Sequence, residues 1–587
     1  MAPTEEPKWV ILILLADALG IFWLVSILIR CHRPNRSTTT QQPPSKTSIS
    51  AIGFTLFILG LLAGVLYARN TGIALNRLSF WISGGLVLLS SAHLARQTSG
   101  TRALLRGALC AALLTSADFW FHFFTSFKDP TYNKFVYFSS IGHFNFTADV
   151  LVILLPLCFG SLLWDPNRYV KILSGVTSLS LALMLIMTGS LGGMGGILGG
   201  GILALGLKLI SQRKASFNKT PWVRAGLLGI LLALSFPWLM DRTPPEIRSL
   251  LFHRAQWEEA PDFDTHPEGE RMPPLKDFWI WIHPYLGSRT PMWASTAGMI
   301  ADRPWSGFGT GSYLFEYPAY QKRYDLFRDF ETHGNHIKTN PHNVFLQIAA
   351  ENGLPMAFLF TGLYLSLLIR CIQKALSEPD ALWFCGIWLL GAAGLDALVN
   401  HVFFNPASLA TVSLAIGLLH GRLSQSPKHA EPEKTTCLKS LMLIGPVIGI
   451  LYLSSFPIRW VISEHFANEG RLFLENKSAP GQFQAEQAYR KAIDWFPDNA
   501  QALLGLSGVL IRQKRYLDAE PIVNQLLAIS PYQTQGLLTR ARIEGELGQL
   551  DQAEQTLEQA LALEPDSSFF KETLERLRGF KKNLPPR

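Results

Sequence analysis

Residues 340–356 read NPHNVFLQIAAENGLPM. His342 and Asn343 stand where a long polar segment meets an apolar run, and Gly353-Leu354-Pro355 opens a span of membrane length. Polar groups at such a boundary sit where water, lipid head groups and hydrocarbon meet. The chain around them is therefore read first as a membrane protein.

Composition supports that reading. Of 587 residues, 48% are hydrophobic and 16% charged, and mean hydropathy is +0.19; the balance is more apolar than the soluble norm. Crossing a ~30 Å hydrocarbon core takes about 20 apolar residues. Such runs fall near 9–29, 50–68, 78–95, 103–124, 147–164, 169–189, 191–210, 222–240, 354–371, 381–400, 406–420 and 438–456. The expected fold is all-α: a polytopic membrane helical bundle of about 12 spans, followed by an α-helical solenoid. The opening MAPTEEPKW lacks the basic region of a signal peptide, so Trp9–Ile29 is read as a retained span.

Charge orients the bundle. Much of the excess behind the net charge of +8 and the pI near 9.1 sits in short loops between spans, which argues against nucleic-acid binding. Lys and Arg in such loops mark the cytoplasmic side. Arg30–Ser48 (with Arg30, Arg33, Arg36 and Lys46), Gln212–Lys219 (with Arg213, Lys214 and Lys219) and Gly421–Thr436 are of this kind. Counting spans from them puts the aromatic-rich segment 241–341, and everything after Phe456, on the outer side. The expected division is N-terminal spans (1–240), a periplasmic loop (241–341), C-terminal spans (342–456) and a periplasmic helical domain (457–587). Six cysteines form no CxxC pair, so neither a disulfide framework nor a zinc site is expected.

The last part repeats. Pro497, Pro531 and Pro565 stand 34 residues apart, and Ala485, Ala519 and Ala553 keep the same period, as do Tyr489, Val523 and Leu557. A small alanine lets two antiparallel helices close up. A proline stops the second helix before the next pair begins. The spacing matches the tetratricopeptide repeat, and Phe569–Phe580 can cap the stack.

His342 is the first candidate for chemistry. A neutral imidazole accepts a proton from an attacking hydroxyl, or donates a hydrogen bond to a phosphate oxygen. Asn343 orients it or caps the helix. The alternative is a histidine at a helix start with no chemical role. His333, His336 and His342 share one segment, but their spacing does not put three ligands on one helical face, so no metal is expected.

The pattern His342-Asn343, nine residues, then Gly353 resembles the signature of the O-antigen ligase and polymerase superfamily of membrane glycosyltransferases. Met356 stands where that family carries Gly, Thr or Tyr. Arg289, Trp293, Met299-Ile300, Asp302, Pro304, Gly307, Gly309 and Gly311 match the family's outer loop. Thr188-Gly189-Ser190-Leu191-Gly192 resembles its Thr/Gly-Ser-Arg-Gly turn, with Leu191 in place of the arginine that contacts the carrier. The glycines between 189 and 201 have a second reading as helix packing. Asn145, Thr147 and Asp149 look like a degenerate form of another family loop.

The resemblance implies inverting transfer of a glycan from a polyprenyl-pyrophosphate carrier to an acceptor. It implies a bacterial inner membrane, with the site and the repeats facing the periplasm. His342 and Arg289 would be catalytic, His342 assisting the acceptor hydroxyl and the Arg289 fork stabilising pyrophosphate. Asn343, Thr188, Ser190, Asn145, Arg242 and Lys338 would bind substrate, with Arg242, Lys338 or Arg289 itself standing in for the charge absent at Leu191. No metal or other cofactor is implied. The expected partners are a lipid-linked glycan, a lipid or protein acceptor and a protein bound by the repeats, with no nucleic acid. Polymerisation of repeat units, protein O-glycosylation and a non-catalytic scaffold stay open as alternatives. Asp396, Asn400 and His401 are read as a polar helix end at head-group level, or else as lining the same outer cavity.

Overall fold

Apolar runs become helices here because a backbone in lipid must satisfy its own hydrogen bonds. The computed structural model describes residues 10–21 (apart from 12 and 19), 49–126, 144–212, 278–279, 289–321, 340–424, 437–475 and 479–583. The expected span near 222–240, the basic loop at Arg30–Ser48 and most of the outer segment 241–341 lie outside these residues. Every regular element among the described residues is helical.

The membrane part comprises α1 (10–21), α2 (Ile49–Leu66), α3 (Thr71–Ala95), α4 (Thr98–Ser126), α5 (Phe144–Trp164), α6 (Arg168–Thr188) and α7 (Leu191–Gln212). Next come α8 (Arg289–Asp302), the short α9 (Tyr313–Glu316) and α10 (Pro318–Gln321), and α11 (Val344–Asn352). Then follow α12 (Leu354–Ser377), α13 (Ala381–Ala397), α14 (Pro406–Leu423) and α15 (Cys437–Glu475). Among the described residues seven helices are long and apolar enough to cross a membrane: α3 to α7, α12 and α15 from Val447 onward. Helices α2 and α13 are apolar but shorter.

Helix α5 is the centre of the bundle, with every residue from Thr147 to Cys158 buried. Helix α6 lies at its rim and turns Ile172, Val176, Leu179, Leu183 and Ile186 outward, a face suited to lipid tails. The glycines of α7 set its distance from α13. A Cβ at Gly196 would lie 2.6 Å from the Ala392 carbonyl oxygen, and one at Gly200 would lie 2.5 Å from the Trp388 oxygen. Backbone therefore meets backbone along this seam, as small residues permit between membrane helices.

The two ends of the bundle differ. One carries Arg96, Arg102, Arg106, Arg168, Lys171, Lys374 and Arg422 at or beside helix ends. There Arg106 grips Asp165 with two hydrogen bonds, of 2.9 and 3.1 Å, and holds that carboxyl below its usual range. At the other end the turn after α2 meets the segment after α8. Tyr67 donates to the Ser306 oxygen at 2.6 Å, and the Thr310 hydroxyl donates to the Leu61 oxygen at 2.9 Å.

Helix α15 runs unbroken through Phe456 and becomes the first helix of the solenoid. Ser463 Oγ donates to the Ala492 oxygen at 2.7 Å, and Asn499 Nδ2 donates to Ser463 Oγ at 2.8 Å. The solenoid continues through α16 (Ala479–Trp495), α17 (Ala500–Arg512), α18 (Tyr516–Ile529), α19 (Thr534–Glu546), α20 (Leu550–Leu563) and α21 (Ser568–Lys582). The periodic Ala485, Ala519 and Ala553 are buried between paired helices, with Tyr489, Val523 and Leu557 beside them. This region is also docked on the bundle. Asp498 Oδ2 accepts the Gly72 N–H at 2.9 Å, and Asn70 Nδ2 donates to the Asp498 oxygen at 3.1 Å. The Phe496 ring fills the space a Gly72 side chain would take. A carboxylate on the first N–H groups of α3 also complements the helix dipole.

Asp498→Ala is expected to free the first turn of α3 while leaving the solenoid folded. Loss of a charged hydrogen bond costs about 1.5–3 kcal/mol, so amide exchange at Gly72 should speed up at least tenfold. Unchanged exchange there would show that α15 alone holds the two parts together.

Candidate functional site

The site is built around α11. Asn343 caps this helix: its Oδ1 accepts the Leu346 N–H at 3.0 Å, while its Nδ2 donates to the Leu398 oxygen at 2.9 Å. One amide thus fixes both the start of α11 and its distance from the end of α13. His342 precedes it at φ 50°, a left-handed conformation that costs a non-glycine residue about 1–3 kcal/mol and persists only where the surroundings enforce it. Its N–H donates to Asn340 Oδ1 at 3.1 Å, and Trp293 of α8 donates to the Pro341 oxygen at 2.7 Å.

The other end of α11 explains the spacing of the motif. Gly353 has φ 83° and lies under the turn after α8, where a Cβ would sit 2.2 Å from the Trp305 oxygen. Leu354 N–H donates to the Pro304 oxygen at 2.8 Å, Phe308 N–H to Ala350 O at 3.0 Å, and Gly309 N–H to Glu351 O at 2.7 Å. Nine residues separate His342-Asn343 from Gly353 because α11 is 9 residues long and clamped at both ends. Asn343, Gln347 and Glu351 recur every fourth residue on it and are all buried. Burial pushes the Glu351 carboxyl above its ordinary value, against hydrogen bonds from Gly311 N–H and Gln347.

His342 meets the end of α13 ring to ring. Its imidazole lies edge-on to that of His401, with centroids 4.8 Å apart, and His401 lies edge-on to Phe146 at the same distance. Arg289, the first residue of α8, donates from Nη2 to Asn400 Oδ1 at 3.3 Å. Asn400 Nδ2 donates to Asp396 Oδ1 at 2.6 Å and lies 3.4 Å from Ser190 Oγ. Asp149 of α5 faces Asp396, and the charge of Arg289 acts on both carboxyls. Asp149, Asp396 and Asn400 are fully buried.

Of the residues singled out in the sequence, His342, Asn343, Arg289 and Ser190 thus converge on the end of α13. Thr188 is buried beside them, but its hydroxyl serves the local turn, donating to Leu185 O at 2.6 Å and accepting the Ser190 N–H at 3.1 Å. Asn145 is half-buried on the first turn of α5, next to Phe146. Arg242 and Lys338 lie outside the described residues, as do His333 and His336. Leu191 is 42% exposed; its neighbours Ser190 and Gly192 are the ones that touch Asn400 and Asp396. The packing reading of the glycine stretch is the one the structure shows: Gly196 and Gly200 permit close approach, and that approach brings the turn against the polar end of α13.

Asp396, Asn400 and His401 lie in the buried junction of α5, α7, α8, α11 and α13. The available signal was three polar residues closing an otherwise apolar helix. It was ambiguous because the same pattern ends helices that merely reach the head groups.

Two carboxyls and one guanidinium in this junction make a double-mutant test. Arg289→Leu leaves an acidic pair without its counter-charge and should lower stability by on the order of 3 kcal/mol. Adding Asp149→Asn supplies an amide donor to Asp396 and should restore much of the loss. Additive losses in thermal unfolding of the purified variants would mean that the three groups are not coupled.

Comparison with known families gives two matches. Residues 176–361 match the family model described as O-antigen ligase, a stretch that holds the α6–α7 turn, α8 and all of α11. Residues 484–543 and 510–572 match the tetratricopeptide repeat model. No curated protein matches the chain. The chain is thus O-antigen ligase-like over 176–361, carries tetratricopeptide repeats in its helical C-terminal region, and has among its described residues seven helices long and apolar enough to cross a membrane.

Proposed function

We propose that the protein transfers a glycan from a polyprenyl-pyrophosphate carrier to an acceptor hydroxyl, with inversion at the anomeric carbon. The observation that carries this reading is the meeting of His342 and Arg289, from distant parts of the chain, at adjacent residues His401 and Asn400. The acceptor oxygen attacks the anomeric carbon and gives its proton to the His342 imidazole. The bond to the pyrophosphate oxygen breaks, and pyrophosphate leaves with the electron pair. Charge grows on that leaving group as the bond lengthens, so a guanidinium already held in place by Asn400 lowers the barrier. Arginine suits the task because its planar fork stays charged and donates in parallel to two oxygens. This chemistry calls for no metal.

A lipid-borne donor accounts for placing the site among membrane helices. The basic end of the bundle is opposite the site, and basic ends face the cytoplasm. The site and the repeats then face the periplasm of a bacterial inner membrane. The repeats, docked on the site's end through Asp498, would hold a protein partner or acceptor near it. Leu191 favours a second reading, a non-catalytic scaffold that binds the carrier and presents the repeats.

A transfer assay with a carrier-linked glycan separates the two. His342→Ala is expected to slow transfer by about 10²–10⁴-fold, the usual contribution of a general base, with little change in unfolding temperature. Arg289→Lys should retain part of the rate. Wild-type transfer by His342→Ala contradicts the catalytic role. A phenotype untouched by both substitutions but lost on disrupting the repeats favours the scaffold.

A further inference from the structure

The arginines of the described residues toward the end of the bundle that holds the site are engaged with one exception; Arg459 lies over the Phe456 ring at 5.9 Å. Arg69 is paired with Glu316, Arg289 donates to Asn400, and Arg303 lies over the Phe308 ring at 4.5 Å. Arg77 differs. It sits in the second turn of α3, about 9 Å below the start of that helix at 1.5 Å per residue. Its side chain is half-buried, and a Cβ built on Gly311 would lie 3.0 Å from its Cγ. The aliphatic stem is thus held against the glycine-rich turn that clamps α11. One turn deeper, Trp81 packs edge-on against Phe404 at 5.5 Å, and the Phe404 N–H donates to the His401 oxygen at 2.8 Å. Arg77 therefore stands on the α3 side of the candidate site, at the Gly311 end of α11, away from His342.

Among the described residues no group accepts a hydrogen bond from the Arg77 guanidinium. Glu351 acts on it only through space. That carboxyl accepts Gly311 N–H at 2.9 Å and Gln347 Nε2 at 3.1 Å, and Arg77 acts on it as a counter-charge rather than as a hydrogen-bond donor. A guanidinium has five donors and cannot shed its charge. With no protein acceptor, those donors are left to water or to an anion. The opposite end of the bundle shows the ordinary solution, where Arg106 takes both oxygens of Asp165. Among the groups a membrane lipid offers, the acceptor that matches a guanidinium fork is a phosphate.

We propose that Arg77, set against the Gly311 turn, binds a phosphate group borne by a membrane lipid at the α3 side of the candidate site. The assignment of that lipid as the glycan carrier rests on the function proposed above; the phosphate chemistry does not. A carrier pyrophosphate and a phospholipid head group share this chemistry, and the test distinguishes them.

The full chain is reconstituted in phosphatidylcholine discs and titrated with a short-chain polyprenyl pyrophosphate or with phosphatidylglycerol. Binding is read by native mass spectrometry. Arg77→Gln is expected to weaken polyprenyl-pyrophosphate binding by about 10- to 100-fold, as loss of charged hydrogen bonds does. Arg77→Lys should weaken it less, since charge survives without the fork. Arg77→Gln/Glu351→Gln separates binding from simple charge balance. If Arg77 only offsets Glu351, the double variant recovers wild-type binding and the inference falls. It falls equally if Arg77→Gln binds both lipids as the wild type does, or if the wild type binds neither. Arg77-dependent binding of phosphatidylglycerol alone supports the phosphate site and contradicts the carrier reading. If Arg77→Gln fails to fold, Arg77→Lys carries the comparison.

Discussion

Both ends of the Asn343 side chain are used, and the arrangement of the site depends on that double use. One end caps α11 and the other reaches the last turn of α13. The distance between the two helices is thereby set by one rigid amide rather than by soft apolar contact. His342 is carried into its left-handed conformation immediately before the cap, so its ring meets His401. At the far end of α11, Gly353 admits the Trp305 carbonyl where any side chain would collide. A helix fixed at its two ends cannot slide along its axis. Polar groups in this junction are therefore held in register, as preorganised chemistry requires.

The architecture was legible because its signals are periodic or long. Apolar runs of membrane length, alternating with basic loops, announce spans. Alanines and prolines on a fixed period announce paired helices. The motif around His342 was legible for another reason: its spacing equals the length of α11, so a local sequence distance encodes a real structural one. Asp396, Asn400 and Asp149 were harder. Each is a polar residue in an apolar helix, and sequence does not say whether such a residue faces lipid head groups or a buried junction. The decision is made by Gly196 and Gly200 on another helix, which let α7 approach α13 closely enough to cover it. Arg77 was hidden for a similar reason. Its lack of an acceptor depends on Glu351 being satisfied by Gly311 and Gln347, far from it in sequence.

The join between bundle and solenoid adds a constraint that repeat periodicity does not convey. Helix α15 passes from the membrane segment into the first repeat without a break. A flexible tether would let the repeats sample many orientations. A continuous helix together with the Asp498 contact to α3 fixes one orientation, on the end where α11 and α8 meet. Arg69 ties this seam to Glu316, just beyond the turn that covers Gly353. The solenoid and the candidate site thus share a short run of contacts.

On the proposed function, His342, Arg289 and their buried supports form one reaction centre at the solenoid end of the bundle. A structure of the full chain in a lipid disc, solved with a polyprenyl pyrophosphate added, tests it most directly. Pyrophosphate is expected at hydrogen-bond distance, about 3 Å, from Arg289, with its terminal phosphate turned toward the His342 imidazole. Pyrophosphate seated at the opposite, basic end, or Arg289 and His342 opening into separate cavities, would contradict it.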